Sequence, residues 1–547
     1  MTTTVAKTLL ILCSVLILVI VNNSILSPIM LIAKQARAVT TTSPSSFRSY
    51  SNITTITNIQ LPGILPNNNP SSLPASSSSS GSSIITNANP STNNHQSSAT
   101  TSTSPPLAHR NTRARAAIGG PTLNDPNLKA EQIIHTGLKS TTSMAFLGPN
   151  DILVLEKDTG IVHRILNGKI LPEPVLDVNV ANEAERGLLG IAIAKGSNDR
   201  NAENENRNAN TDNRHVFLYY TESGEGKDGD DEPTAGNIAP AGNRLYRYDP
   251  DESGNDVKLT NPLLLLNLPA SPPPERADTE KNHNAGKVLI GPDNNVYVGI
   301  GDVGGHNGQS ENNPNGPAPD GTGGILRITQ DGQIVDNPPL GSDDTIPLAL
   351  YYGYGMRNTF GMDFDPVTGN LWDTENGNTF GDEINLVNPG FNSGWSQVAG
   401  IWEAGSKPGP AIGADSNNPP KGLVTFDGKG VYRAPELATL QTIAPTALKF
   451  LNSDKLGKQY ENTIFMGDVD NGNLYNFKLN EDRTGLALGA PLADKIANTP
   501  EDLKEGGAVF GQGFGVITDI QVGPDDGYLY ILTLTGSLYR IVSSSSS

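Results

Sequence analysis

The chain has 547 residues, with 58 Gly, 40 Pro and only 17% charged residues; that length allows one large domain with accessories or two to three ordinary ones, and the composition suits short strands joined by turns. A formal net charge of −19 argues against a nucleic-acid partner, because phosphate binding needs a basic surface. Cys13 is the single cysteine, so the rest of the chain can carry neither a disulfide framework nor a thiol-based metal or redox site.

In chain order, Lys7 precedes an uncharged stretch, Thr8 to Ala33, densest from Leu9 to Val21. A short positive start, an apolar core and Ala36-Arg37-Ala38 predict an export signal, residues 1–38, with an uncleaved membrane anchor as the other reading. Residues 39–120 are rich in Ser, Thr, Asn and Pro and nearly free of aromatics. Such a segment buries too little apolar area to offset chain entropy, which predicts a disordered linker.

From about Pro121 the texture changes. Met144 to Leu166 reads strand, turn, strand, turn, strand, and the phrase recurs from Val288, Met362 and Ile520, more loosely from Ile464. The turn prolines are 149, 292, 366 and 524, spaced as two, one and two units of roughly 75 residues. Hairpins repeating at a fixed period predict a six-bladed β-propeller of four-stranded antiparallel sheets over residues 121–547. A sandwich does not repeat its hairpins in this way. Three long polar insertions interrupt the phrases, and the third, Gly304 to Gly324, directly follows Asp302.

The segment Lys281 to Asp302 carries the first candidate chemistry. Val288, Ile290, Val296, Val298 and Ile300 mark two strands around a Pro292-Asp-Asn turn. Residues flanking a hairpin return to one sheet edge, so His283 and Asp302 can meet there as a general base and its partner. The bland alternative is a structural histidine in a turn.

Several phrases, in order, resemble the soluble quinoprotein glucose/sorbosone (aldose sugar) dehydrogenase family: Glu185-Arg186-Gly-Leu-Leu-Gly190, His283-Asn-Ala-Gly286, Gly324-Ile-Leu-Arg-Ile328, Met356-Arg357-Asn358-Thr-Phe-Gly361, and Glu375-Asn-Gly377 with Gly381-Asp-Glu-Ile-Asn-Leu386 and Asn392-Ser-Gly-Trp395. The resemblance covers roughly residues 140 to 540. It implies a propeller that holds pyrroloquinoline quinone (PQQ) and Ca²⁺ near its axis and oxidises a sugar at C1 to the lactone, passing electrons on to an external acceptor. By the same resemblance His283 is the base, Asp302 orients it and Arg357 stabilises charge on the quinone. Glu185, Asn307, Arg357 and Asn358 would contact the cofactor. Gly377, Asn378, Asp382, Glu383 and Ser393 would supply all-oxygen ligands to calcium. Glu185-Arg186 reads first as an ion pair that closes a blade, and Trp395 as packing between blades. The sequence departs from the family at three positions: Asp470 stands where quinone-holding members have Lys, and Val516 and Thr518 where they have Arg. PQQ carries three carboxylates, so these departures remove charge-assisted contacts; Lys449 or Lys478 are the candidate substitutes. Two other classes stay open. One is a non-catalytic surface propeller binding glycan or protein. The other is a calcium-centred propeller hydrolase acting on lactones, which would need carboxylate and Asn side chains converging on the axis.

Overall fold

A computed structural model describes residues 114–195, 214–228, 238–254, 256–272, 281–341, 346–412 and 419–544. The expected export segment and most of the expected linker lie outside these residues. Within them the chain is built almost wholly of strands; the α-helices are Ile346–Leu350 and Pro500–Glu505. No described helix is long and apolar enough to cross a membrane.

The strands form six sheets of four or more strands, together with one two-stranded ribbon. Sheet I runs Thr141–Gly148, Asp151–Glu156, Ile161–Leu166 and Lys169–Ile170. Sheet II runs Leu188–Lys195, Arg214–Ser223, Pro240–Asp251 and Lys258–Leu268. Sheet III opens with Val288–Ile290, Val296–Ile300, Gly324–Ile328 and Tyr351–Tyr354. Sheet IV opens with Thr359–Phe364, Leu371–Glu375 and Asp382–Val387, and sheet V with Pro445–Phe450, Ile464–Asp468 and Asn473–Phe477. Sheet VI holds Ile517–Val522, Leu529–Thr533 and Leu538–Ser543, and its outermost strand is Leu128–Ile134, from ahead of sheet I.

The architecture is the all-β propeller that the repeats predict. The four closer recurrences become the first hairpin of their sheets, as where Val288 and Ile290 pair with Val298 and Val296, while the looser phrase from Ile464 forms the second hairpin of sheet V. Uniform four-stranded sheets do not follow, however. Sheets I, IV and V have five strands and sheet III has six, because short segments of the connections between hairpins add strands at the outer edges. Phe391–Asn392 and Val431–Tyr432, for example, extend sheet III in parallel.

The apolar cores lie between neighbouring sheets. Leu153 and Val162 pack with Val216 and Leu218 across sheets I and II, and Trp372 and Ile384 with Leu448 and Ile464 across IV and V. Ile520 and Leu529 meet Phe465 and Leu474 across V and VI, while Leu532 and Leu538 meet Met144 and Ile152 across VI and I. Alternating strand residues supply these contacts, so each sheet is buried on both faces, unlike the half-solvated sheet that simple alternation would give.

Close approach at the centre depends on two glycines. A Cβ on Gly190 would lie 1.8 Å from the Gly286 carbonyl oxygen, and one on Gly286 would lie 2.6 Å from Leu189 Cβ. Gly286 also has φ +113°, which a side chain would strain. The opening strands of sheets II and III can thus meet backbone to backbone, placing the His283 turn beside Glu185.

Candidate active site

The first strands of the sheets converge on an axial cavity of about 300 Å³, lined by Ser143, Leu189, Lys287, Phe360, Thr446 and Thr518 from six different sheets or the turns that lead into them. Glu185, Ala285 and Asn376 line the end nearest His283.

The hairpin of sheet III brings His283 and Asp302 together as the spacing predicts. His283 Nδ1 lies 2.5 Å from Asp302 Oδ1, and Asp302 is almost wholly buried. Burial alone would raise the Asp302 pKa, but the bond and charge of His283, the charge of Arg357 and the bond from Trp395 hold it below the usual carboxylate range. An ionised Asp302 is an acceptor only, so His283 donates its Nδ1–H, and the neutral imidazole in this orientation carries its lone pair on Nε2. Trp395 Nε1 donates to Asp302 Oδ2 (2.8 Å) and the Gly305 N–H to Oδ1 (3.0 Å). Asp302 is therefore held in one orientation.

Trp395 packs against the cluster of Phe380, Ile401 and Trp402, and it does more than pack: its indole orients Asp302, and the Arg357 guanidinium stacks over its ring at 5.6 Å. Sequence reasoning named the residue but missed this role. A tryptophan shows no pattern that distinguishes a hydrogen bond to a carboxylate from packing between sheets.

Glu185 also departs from expectation. It makes no closing ion pair with Arg186, whose guanidinium is buried and donates to the Ala270 carbonyl and the Ser271 hydroxyl. Glu185 Oε2 instead accepts the His283 backbone N–H (2.6 Å) and the Asn358 amide (3.0 Å). It ties the histidine turn of sheet III to the Arg-Asn loop that leads into sheet IV. That geometry suits the φ of +62° at His283, which few residues adopt without such support.

Arg357 donates through Nη1 to the carbonyls of Asn376 (2.8 Å) and Gly377 (2.6 Å), and its backbone N–H donates to Glu375 Oε1 (2.6 Å). Asn307 turns back on its own loop, donating to Gly305 O (2.8 Å) rather than reaching His283 or Arg357.

Of the residues expected to hold metal, the structure brings Glu383 and Ser393 together and adds Glu375. Glu375 and Glu383 are register partners on adjacent strands, and the Ser393 hydroxyl lies 2.7 Å from Glu375 Oε2 and 3.0 Å from Glu383 Oε2. Burial raises the Glu375 pKa to about 7; burial and then the charge of Glu375 push Glu383 well above the usual range. Gly377 is not brought to them, since its carbonyl serves Arg357, and Asn378 is exposed. Asp382 is occupied otherwise, accepting the backbone N–H groups of Gly377, Ile443 and Ala444 at 2.7–2.9 Å. Among the described residues no three His, Cys, Asp or Glu side chains form a metal-type cluster.

The insertion after Asp302 is pinned by His306, which lies 3.0 Å from Asp320 Oδ2 and 3.5 Å from Glu311 Oε1, while its N–H donates to the Asp302 carbonyl. Those carboxylates raise the His306 pKa to about 10. A raised histidine pKa gives stability that is full below about 6.5 and lost as pH rises through 10. The melting temperature of wild type should therefore exceed that of His306→Gln at pH 6.5, and the gap should shrink by pH 10. A gap independent of pH would show that the imidazole acts by shape alone.

The fold is thus a β-propeller with an axial cavity, and beside the Glu185, Ala285 and Asn376 end of that cavity lie an oriented His–Asp pair and an arginine. The chain belongs to the Glucose / Sorbosone dehydrogenase family, whose model matches residues 138–540. It is 25% identical over 418 residues to the aldose sugar dehydrogenase YliI of Escherichia coli, covering 75% of this chain and 92% of the relative. The crystal structure of the soluble aldose sugar dehydrogenase of E. coli in its apo form matches with a TM-score of 0.53 at 22% identity, over 76% of this chain and 99% of that one. The PQQ-bound aldose sugar dehydrogenase of Streptomyces coelicolor matches with a TM-score of 0.50 at 20% identity, over 77% and 99%. These two structures support the fold.

Proposed function

We propose that the chain oxidises a sugar at its hemiacetal carbon, with His283 as the base, each of the six sheets counting as one blade of the ring. The carrying observation is the Nδ1 contact to a buried, ionised Asp302, which leaves Nε2 free beside the axial cavity. Nε2 takes the proton of the C1 hydroxyl while the hydride leaves that carbon for an external, uncharged quinone acceptor. Oxidation of a cyclic hemiacetal in this way gives a lactone. Arg357 keeps Nε and Nη2 beyond its two carbonyl contacts and provides a cation beside the site.

For PQQ itself the fit is divided. His283, Arg357 and Asn358 suit its carbonyl end, but its three carboxylates would meet Val516 and Thr518 in the cavity wall and Asp470 beside Val469. Neither proposed substitute helps: Lys449 pairs with Asp363 (3.0 Å) and does not line the cavity, and Lys478 is exposed. The tricarboxylate quinone does not fit the cavity as built, and no step is assigned to it. This observation also favours the second reading, a propeller that binds glycan or protein without turnover. Purified protein, supplied with an aldose panel and either PQQ or an uncharged quinone, separates the two: sugar-dependent dye reduction is expected, and its absence with both acceptors would leave the binding propeller.

Calcium fits at Glu375, Glu383 and Ser393, because two wholly buried carboxylates share one hydroxyl and neither makes an ion pair among the described residues, a donor set that suits a hard cation. There it would ionise both acids and fix the strand ends beside Arg357. At 100 times its dissociation constant, calcium should stabilise the fold by about 2.7 kcal/mol, reversibly with a chelator. Glu383→Gln should lose most of that response; an unchanged response would place the ion elsewhere. Export, proposed from residues 1–38, would give such a site access to extracellular calcium and sugar.

A further inference from the structure

We infer that the axial cavity takes an uncharged ligand bearing hydroxyl or N–H donors, and rejects polycarboxylates. The argument rests on the wall itself and does not require that sugar be oxidised.

Two ammonium groups face this space, and both are neutralised. Lys287 Nζ is 2.6 Å from Asp519 Oδ1, and both side chains are buried. Lys157 Nζ donates to the carbonyls of Asn182, Ala184 and Arg186 at 3.0–3.2 Å and lies 2.5 Å from Asp158. With Glu185 in the wall, two positive charges meet three negative ones. Arg357 lies outside the lining, so any carboxylate seated against this wall would give up its hydration without gaining a free cation, which costs several kcal/mol per ion.

The hydroxyls of the wall point to the same class. Each already donates: Thr142 Oγ1 to Leu188 O (2.8 Å), Ser143 Oγ to Asp519 Oδ2 (3.0 Å), Thr446 Oγ1 to Ile517 O (2.6 Å) and Thr518 Oγ1 to Leu532 O (3.4 Å). What these four offer a ligand is therefore oxygen lone pairs. Glu185 adds carboxylate oxygens. A cavity with acceptors left over and its ammonium charges spent is complementary to a neutral donor. Leu189, Phe360, Val469, Val516 and Leu534 supply the apolar remainder of the wall. A volume of about 300 Å³ fits a molecule of one or two rings.

The test is calorimetric titration of the full chain with D-glucose and 1,4-hydroquinone as neutral probes, and with D-glucuronate and PQQ as carboxylates. Wild type should bind at least one neutral probe with a dissociation constant below about 1 mM, prefer glucose to glucuronate by at least tenfold, and show no saturation with PQQ at 100 µM. Val516→Trp, which fills the cavity, should abolish the neutral binding. Val516→Arg/Thr518→Arg should gain PQQ binding, since it places two cations in the wall. Melting curves identify any variant that has not folded, and Ala444→Trp then replaces Val516→Trp as the filling change. Saturable PQQ binding by wild type would overturn the inference. So would neutral binding that survives both filling variants, or no binding of either neutral probe. Binding without turnover would overturn only the dehydrogenase reading, so the two failures are distinguishable.

Discussion

Replacing His283 by alanine is expected to lower sugar-dependent turnover by about 10²–10⁴-fold, the usual worth of a positioned proton acceptor. Its backbone N–H still reaches Glu185, so the turn should persist and the melting curve should move little. The loss should fall on kcat, with KM nearly unchanged, because the imidazole acts on a proton in flight rather than on resting substrate. Asp302→Asn should also cost rate: an amide can present its NH₂ to Nδ1 and favour the wrong tautomer. Turnover of His283→Ala above one-tenth of wild type would remove His283 from the mechanism.

The largest effect on stability is expected at Asp382. This wholly buried carboxylate accepts three backbone N–H groups, one from the Glu375–Asp382 turn and two from the segment leading into sheet V. Asp382→Ala would strand all three, at about 1–3 kcal/mol each, for a total of roughly 3–9 kcal/mol in denaturant unfolding. Burial raises its pKa to about 6 against the three donors that lower it. The folded chain thus holds this proton more tightly than the unfolded one. The Asp382 contribution is greatest below about pH 4, declines up to about pH 6 and is flat above. In Asp382→Ala that slope should disappear. A loss below 1 kcal/mol would mean that water satisfies the three donors.

Asp382 also illustrates what the sequence conceals. Its position in Gly381-Asp-Glu identified a polar turn of the right family, but the acceptor role depends on Ile443 and Ala444, some sixty positions away. By contrast the His283–Asp302 pair was legible because a hairpin of known length fixes where its ends go. The strands were legible for the same reason: period-two apolar runs bounded by Pro, Asp and Gly are local signals. The extra outer strands were not, since Phe391–Asn392 and Val431–Tyr432 have two residues each and owe their pairing to the sheet they join. Glu375 escaped notice as a partner of Glu383 because the register that aligns them is set by the whole hairpin. The neutralised lysines of the cavity were hidden too: Lys287 and Asp519 are separated by 232 positions and meet only across the closed ring.

That closure has its own consequence. Leu128–Ile134 completes sheet VI alongside Leu538–Ser543, and Arg540 reaches Glu131 across 409 positions. The fold is a belt whose buckle joins its two ends. Until the last strand has been made, the first has nothing to fasten to, and sheet VI keeps a naked edge open to any passing strand. Fastening so distant a pair means a slow, late search. Sheet VI gives Val516, Thr518 and Leu534 to the pocket from its inner side, so firming of the wall at the centre waits on an event at the rim, the buckling of the belt.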